Sequence, residues 1–158
     1  MDNIYLPDQR IVSIRKATIA DASALVSYMH AISAESEFLS FGAGEFDKTI
    51  EDECQTIINW GKRDNCLYLV ALLEGEIVGH LTYAGGTRKR THHTGEFGIA
   101  VQHDFWGLGI GKALMSILIC WANANPIIGK INLRVRDTNY KAIAIYERLG
   151  FQHEGRIT

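Results

Sequence analysis

The sequence predicts an α/β fold, a mixed and mostly antiparallel central sheet flanked by helices, in a single domain over residues 1–158. Three observations predict it. Segments that alternate apolar and polar residues are interleaved along the chain with segments of helical spacing. Three β-rich runs follow one another between residues 66 and 101, which implies antiparallel neighbours. A helical segment then joins the run at 95–101 to the run at 130–136, which implies one parallel crossover.

The elements follow in order. Residues 11–18, "IVSIRKAT", alternate as a half-buried strand should. Asp21 caps a helix to about Ser33, with Ala24, Leu25, Tyr28, Met29 and Ile32 on one face. Residues 35–46 read as a loop, because Gly42 and Gly44 break any period. A helix over 48–62 comes next. The run "CLYLVALLEGEIVGHLTYAGG" is a hairpin turning at Glu74-Gly75. The polar connector "TRKRTHH" leads to a strand at 95–101, a glycine junction and a helix to about Asn123. Asn125-Pro126 ends that helix. A strand at 130–136, a helix at 139–149 with Gly150 as its C-terminal cap, and a strand starting at Phe151 complete the order.

Composition narrows the function. A chain of 158 residues, 47% apolar, is long enough to bury one real core. Sixteen basic against eighteen acidic residues, a formal charge of −2, argue against coating nucleic acid or an anionic membrane. The longest apolar run, 117–122, is far short of the roughly 20 residues that cross a bilayer. The polar start "MDNIYLPDQR" is no signal peptide. Cys54, Cys66 and Cys120 are odd in number and form no CxxC pair, so neither a disulfide framework nor a zinc site is expected, and a cytoplasmic setting fits.

The most informative stretch is "HDFWGLGIGKAL", with Gly107, Gly109 and Gly111 at alternate positions between a strand and an apolar helix. It is not a P-loop: Ala113 follows Gly111-Lys112, and Trp106 stands at the first glycine position. It is not the dinucleotide fingerprint either, since Lys112 or Leu114 takes the third glycine position. What remains is a loop of little bulk opening a helix whose first N–H groups lack partners and carry partial positive charge. Such a loop lets a phosphate or pyrophosphate approach the backbone closely. The alternative is a plain glycine-rich turn. Ile110, Ala113, Leu114, Ile117, Leu118 and Trp121 recur at helical spacing, so burial anchors the helix and keeps the loop rigid. A second segment, "LRVRDTNYKAIAIYERLGF", puts Asn139 at a helix start and Tyr146 two turns on. Taken alone it reads as a cap and an amphipathic tyrosine.

Together, in this order and separation, the two segments resemble the GNAT superfamily of acyl-CoA-dependent N-acetyltransferases. "VQHDFWGLGIGKAL" is similar to its Q/R-x-x-G-x-G/A pyrophosphate loop, with Gly109 and Gly111 on the two glycine positions. "NYKAIAIYERLGF" is similar to its N-x-x-A-x-x-x-Y-x-x-x-G-F signature, and "IRKATIADA" resembles its opening strand and helix. Trp106 departs from the pattern, standing where Gln or Arg is usual, but binding there runs mainly through backbone N–H groups. The chain also ends about where the family's penultimate strand begins, so the strand that normally completes the sheet has no sequence here.

The resemblance implies acetyl-CoA as co-substrate and a cleft where the fourth strand of the plan, 95–101, splays from the fifth, 130–136. Gly98 is the expected kink. The pantetheine arm would pair with backbone groups of Ile99, Ala100 and Val101, and a strand N–H there would support the developing oxyanion. The pyrophosphate would sit on Gly107, Leu108, Gly109, Ile110, Gly111 and Lys112, with Asn139 and Tyr146 completing the cofactor site. Tyr146 is the implied general acid for the leaving thiolate.

An alkyl ammonium of pKa near 10.4 is on the order of one part in a thousand neutral at pH 7, a deficit of roughly 4 kcal/mol, so deprotonation matters. Glu96 is the candidate base. An ordinary carboxylate near pKa 4.3 is a poor direct base, so a raised pKa, a water relay or an electrostatic role is expected of it. His92 and His93 are alternative bases. Glu35, Glu37 and Glu45 would suit a cationic amine, with Phe38, Phe41 and Phe46 as walls; a solvated loop is the alternative. "RKR" at 88–90 reads as a solvated turn, with the 3′-phosphate of CoA as the other option. The implied function is acetyl transfer to a small-molecule amine, a polyamine or a protein amino group, with a homodimer allowed. A silent acyl-CoA sensor is the competing reading, and an ATP-binding loop a weaker one.

Overall fold

The computed structural model describes residues 2–35, 49–133 and 140–152. Its strands are β1 (Asp2–Tyr5), β2 (Ile11–Lys16), β3 (Cys66–Leu73), β4 (Glu76–Gly85), β5 (Thr94–Val101) and β6 (Lys130–Asn132). Its helices are α1 (Ala22–Glu35), α2 (Ile50–Gly61), α3 (Ile110–Ala124) and α4 (Tyr140–Arg148). Among the described residues the strands form one sheet in the order β1-β2-β3-β4-β5-β6. Every neighbouring pair is antiparallel except β5–β6, whose strands run parallel across the α3 crossover.

Local chemistry explains most elements. The β3–β4 hairpin turns on Glu74 at φ 53° and Gly75 at φ 83°, the two positive angles of a type I′ turn. Thr49 caps α2: its hydroxyl accepts from the Asp52 N–H at 3.1 Å, and the Asp52 carboxylate accepts from the Thr49 N–H at 3.2 Å. Helix α3 ends at Ala124, where Asn125-Pro126 stops it.

Four expectations need correcting. No strand is expected before residue 11, yet β1 pairs with β2 from Asp2↔Ile14 to Tyr5↔Ile11. Four residues are too few to display a period, and Tyr5 is exposed, so pairing rather than burial defines this strand. Asp21 does not cap α1 directly. It closes a 3-10 turn, Ile19–Asp21, and its carboxylate reaches back to the Thr18 N–H at 2.7 Å and to both terminal nitrogens of Arg15 at 2.7 and 2.8 Å. Gly98 is not a kink, because the β4–β5 register runs unbroken from Gly79↔Val101 to Gly85↔Gly95. The irregularity lies instead in the β3–β4 ladder, where Val78 of β4 is the extra residue opposite Ala71 and Leu72. A Cβ at residue 98 would meet only the Thr82 hydroxyl at 3.5 Å, an ordinary contact, so this glycine permits a bulge without forcing one. Finally, Phe151 and Gln152 hold no regular structure. The remainder of the strand expected from residue 151, and that of the strand expected to 136, lies outside the described residues.

The sheet divides two cores. On one face Ile110, Leu114, Met115 and Leu118 of α3 pack against Val12, Ile14, Leu81, Tyr83 and Phe97. On the other, Leu25, Tyr28, Met29 and Ile32 of α1 and Ile57 of α2 pack against Tyr68, Val70 and Ile77.

The bidentate Arg15–Asp21 pair holds the entry to α1, and that guanidinium keeps the Asp21 carboxyl below the usual carboxylate range. A depressed carboxyl adds stability above its unfolded pKa, about 3.9, and loses it as pH falls through the folded value. Asp21→Asn should cost about 2 kcal/mol at pH 7. In thermal melts its deficit against wild type should shrink at pH 3 and below; an equal deficit at both pH values would show that charge is not the cause.

Candidate active site

The site begins with the backbone of β5. Gln102 N–H donates to Val78 O at 2.8 Å and Gly86 N–H donates to Thr94 O at 3.0 Å, so the even-numbered residues of β5 turn their backbone groups toward β4. Phe97, Ile99 and Val101 therefore turn theirs to the opposite side. There β6 pairs only as far as Glu96↔Asn132. Beyond that point no described residue pairs with this side of β5, which leaves an opening from Phe97 to Val101 among the described residues; residues 134–139 lie outside them. This amends one expectation: Ile99 and Val101 offer backbone groups to the opening, whereas those of Ala100 face β4.

At the end of this edge the chain passes a 3-10 turn, His103–Phe105, and enters the glycine loop. Trp106 donates its indole N–H to Val101 O at 2.6 Å and stacks near His103, ring centroids 4.6 Å apart. The tryptophan thus takes up the last carbonyl of the edge. What β5 still presents next to the loop is an N–H, which suits an anion. Gly107 at φ 77° and Gly109 at φ 89° are in the left-handed region, where a side chain is strained. A Cβ at either would meet nothing within 4 Å, so it is the backbone angle, not crowding, that selects glycine. Gly109 is the N-cap of α3 and supplies no side chain, leaving the first-turn N–H groups of Ile110, Gly111 and Lys112 uncapped. Ile110, Leu114 and Leu118 are at most 1% exposed, so the loop stands on a fixed helix. The donors and the space fit a diphosphate.

Two candidate side chains lie on opposite faces of the sheet. Phe97 belongs to the α3 core, and the Tyr146 ring of α4 lies 5.8 Å from it at 81° and 6.0 Å from Phe151. Burial raises the Tyr146 phenol above its usual value, so at neutral pH it carries a proton to give. Glu96 precedes Phe97 and points to the other face, the one shared with Ala100 and helices α1 and α2. It is exposed.

His92 and His93 are exposed before β5, with Lys89 O 2.7 Å from His92 Nδ1. The 88–90 turn is at that same end, and the glycine loop lies beyond the eight residues of β5, about 26 Å away. Glu35 ends α1. Asn139, Glu37, Phe38, Phe41, Glu45 and Phe46 lie outside the described residues. A cavity of about 500 Å³, lined in part by Lys16, Trp60, Arg63, Trp121 and Pro126, sits at the end of the sheet remote from the glycine loop.

Sequence reasoning misses a buried polar set beneath α1. The Tyr28 hydroxyl lies 3.0 Å from both Ala100 O and His80 Nδ1. A carbonyl only accepts, so the Tyr28 proton goes to Ala100 O, and His80 Nδ1 must donate to the Tyr28 oxygen. Burial lowers the His80 pKa to about 4, so the ring is neutral at pH 7 and its proton resides on Nδ1. Alongside, Tyr68 donates to Glu53 at 2.7 Å, and Glu53 is only 2% exposed. The signal was present as a histidine within the β-rich hairpin, but its partners are 52 residues upstream and 20 downstream in sequence.

Comparison with known proteins places this geometry. The family model described as "Acetyltransferase (GNAT) family" matches residues 28–151. The L-amino acid N-acetyltransferase AaaT of Escherichia coli (strain K12) is 37% identical over 87 residues, 55% of this chain and 54% of that protein, so the match spans about half of that relative's length. A solved acetyltransferase of the GNAT family from Streptococcus pneumoniae is 31% identical, with TM-score 0.88 over 91% of this chain and 86% of the other. The ribosomal-protein-alanine N-acetyltransferase of Brucella melitensis is 26% identical, with TM-score 0.75 over 90% of this chain and 86% of the other.

Proposed function

The chain belongs to the GNAT acetyltransferase family, and on that premise we propose that it moves an acetyl group from acetyl-CoA to a primary amine by direct transfer in a ternary complex. The observation that carries the reading is the stretch of β5 that no described residue pairs on its β6 side, running into the uncapped, glycine-opened start of α3. A pantetheine arm is itself a chain of amides and would pair along Ile99 and Val101. The diphosphate would take the N–H groups of 107–112. Acetyl-CoA supplies an activated thioester when bound. Glu96, exposed and therefore supplied with water, accepts the ammonium proton directly or through a water, and Tyr146 returns a proton to the sulfur. None of Cys54, Cys66 and Cys120 adjoins this opening's residues in sequence, which favours direct attack over an acyl-enzyme.

We read the chain as one acetyltransferase domain working in the cytoplasm. Among the described residues no helix is long and apolar enough to cross a membrane. The acceptor is a small-molecule amine, a polyamine or a protein amino group. Two of the similar proteins are named for L-amino acids and for a ribosomal-protein alanine, so an amino acid and an alanine-ended peptide belong in the assay beside a polyamine.

Calorimetric titration with CoA should show binding, and thiol release from acetyl-CoA should accelerate with at least one amine of that panel. Glu96→Gln should lower that rate by about 10²-fold at pH 7. Absence of heat with CoA sinks the reading. Tight CoA binding without release for any amine replaces the transferase by a silent acyl-CoA sensor.

A further inference from the structure

We propose that Tyr28 and His80 form a positioning pair that fixes and polarises the Ala100–Val101 peptide, so that the Val101 N–H is a strengthened donor to the bound cofactor arm. The proposal rests on the reading that the open β5 edge holds CoA.

A trans peptide is planar, and its C=O and N–H point in opposite directions. Ala100 C=O faces β4, so the N–H of the same peptide, which belongs to Val101, faces the opening. The unbroken register makes His80↔Ala100 a hydrogen-bonded pair, so the Ala100 oxygen accepts from the β4 backbone. It accepts a second time, from the Tyr28 hydroxyl at 3.0 Å. Each bond drawn to the oxygen withdraws density from the amide nitrogen and makes its N–H a better donor, the cooperative strengthening seen in chains of hydrogen bonds.

His80 decides that the second bond exists. A tyrosine has one hydroxyl proton, and the buried neutral imidazole donates from Nδ1 to the Tyr28 oxygen rather than competing for that proton. The two rings meet edge to face at 5.3 Å, and both residues are at most 8% exposed, so the arrangement has little freedom to relax. On the other side of the same residue, the Val101 carbonyl is occupied by Trp106. Val101 is thereby converted from an ordinary strand residue into one that offers the opening a donor alone, next to the loop where an anion would sit.

The test compares Tyr28→Phe with Tyr68→Phe. Each removes one buried hydroxyl on the same face of the sheet, but only Tyr28 touches β5. In Tyr28→Phe the dissociation constant for CoA and the KM for acetyl-CoA should rise three- to tenfold, with kcat within twofold. In Tyr68→Phe both should stay within twofold of wild type. In valine-labelled protein, the Val101 amide proton should move upfield in Tyr28→Phe while those of Val70 and Val78 keep their positions. Equal weakening by both variants, no weakening by Tyr28→Phe, or an unmoved Val101 amide overturns the proposal. If wild type itself does not bind CoA, the functional reading fails and the positioning role with it; a wild type that binds isolates the failure to the pair.

Discussion

Tyr146→Phe should lower kcat for acetyl transfer by about 10²-fold, close to 2.7 kcal/mol of transition-state stabilisation, while leaving the fold intact. The substitution removes one oxygen and keeps the ring. That ring does the packing: it stands edge to face against Phe97 and Phe151 and belongs to the rim of the α3 core. The helix end is also held independently of the hydroxyl, since Leu149 N–H and Phe151 N–H both donate to the Tyr146 carbonyl at 3.1 Å. Stability should therefore change little, and KM for acetyl-CoA should move less than kcat. The phenol's raised pKa adds a second readout. Burial keeps Tyr146 protonated to higher pH than a free tyrosine, so the wild-type rate should show no loss from its ionisation near neutral pH. Thiol-release kinetics together with thermal melts separate the outcomes. An unchanged kcat would remove Tyr146 from proton donation, and a matching fall in melting temperature would make it a structural residue.

The glycine loop gives the second large effect. Gly109→Val should weaken CoA binding by at least about 10²-fold and cost about 2 kcal/mol of stability, because φ 89° forces a β-branched residue into a strained conformation at the cap of α3. Gly111→Ala provides the contrast. Residue 111 is helical, and a Cβ there would meet only Ile99 Cδ1 at 4.0 Å. That change should leave the melting temperature at or slightly above wild type, since alanine suits a helix better than glycine by about 0.5–1 kcal/mol. Its effect on CoA binding should be smaller than that of Gly109→Val, since it leaves the loop angles unchanged. Calorimetry and melts on both variants check this. Full CoA affinity in Gly109→Val would place the diphosphate elsewhere.

The helices and the hairpin are legible in the sequence because their signals are local. Gly75 marks the I′ turn, Asn125-Pro126 marks the end of α3, and the spacing of Ile110, Leu114 and Leu118 marks its buried face. The glycine loop is legible for the same reason, since its conformation depends on its own residues. Strand β1 is not, because four residues carry no period and its stability comes from pairing with β2. The kink expected at Gly98 shows the converse error: a glycine allows many conformations, and the neighbouring strand selects among them. The Tyr28–His80–Ala100 set joins three elements that no sequence window holds together.

By itself the sequence determined the family, the element types and the glycine-opened start of α3, since each follows from spacing and from the residue type a given backbone angle tolerates. Only the tertiary structure decided which backbone groups of β5 face the opening, that Trp106 closes one of them, and that a buried tyrosine and histidine stand behind another. Those facts depend on strand register and on contacts between distant segments, and a one-residue change of register would reverse which backbone groups face the cleft without altering a letter of the sequence.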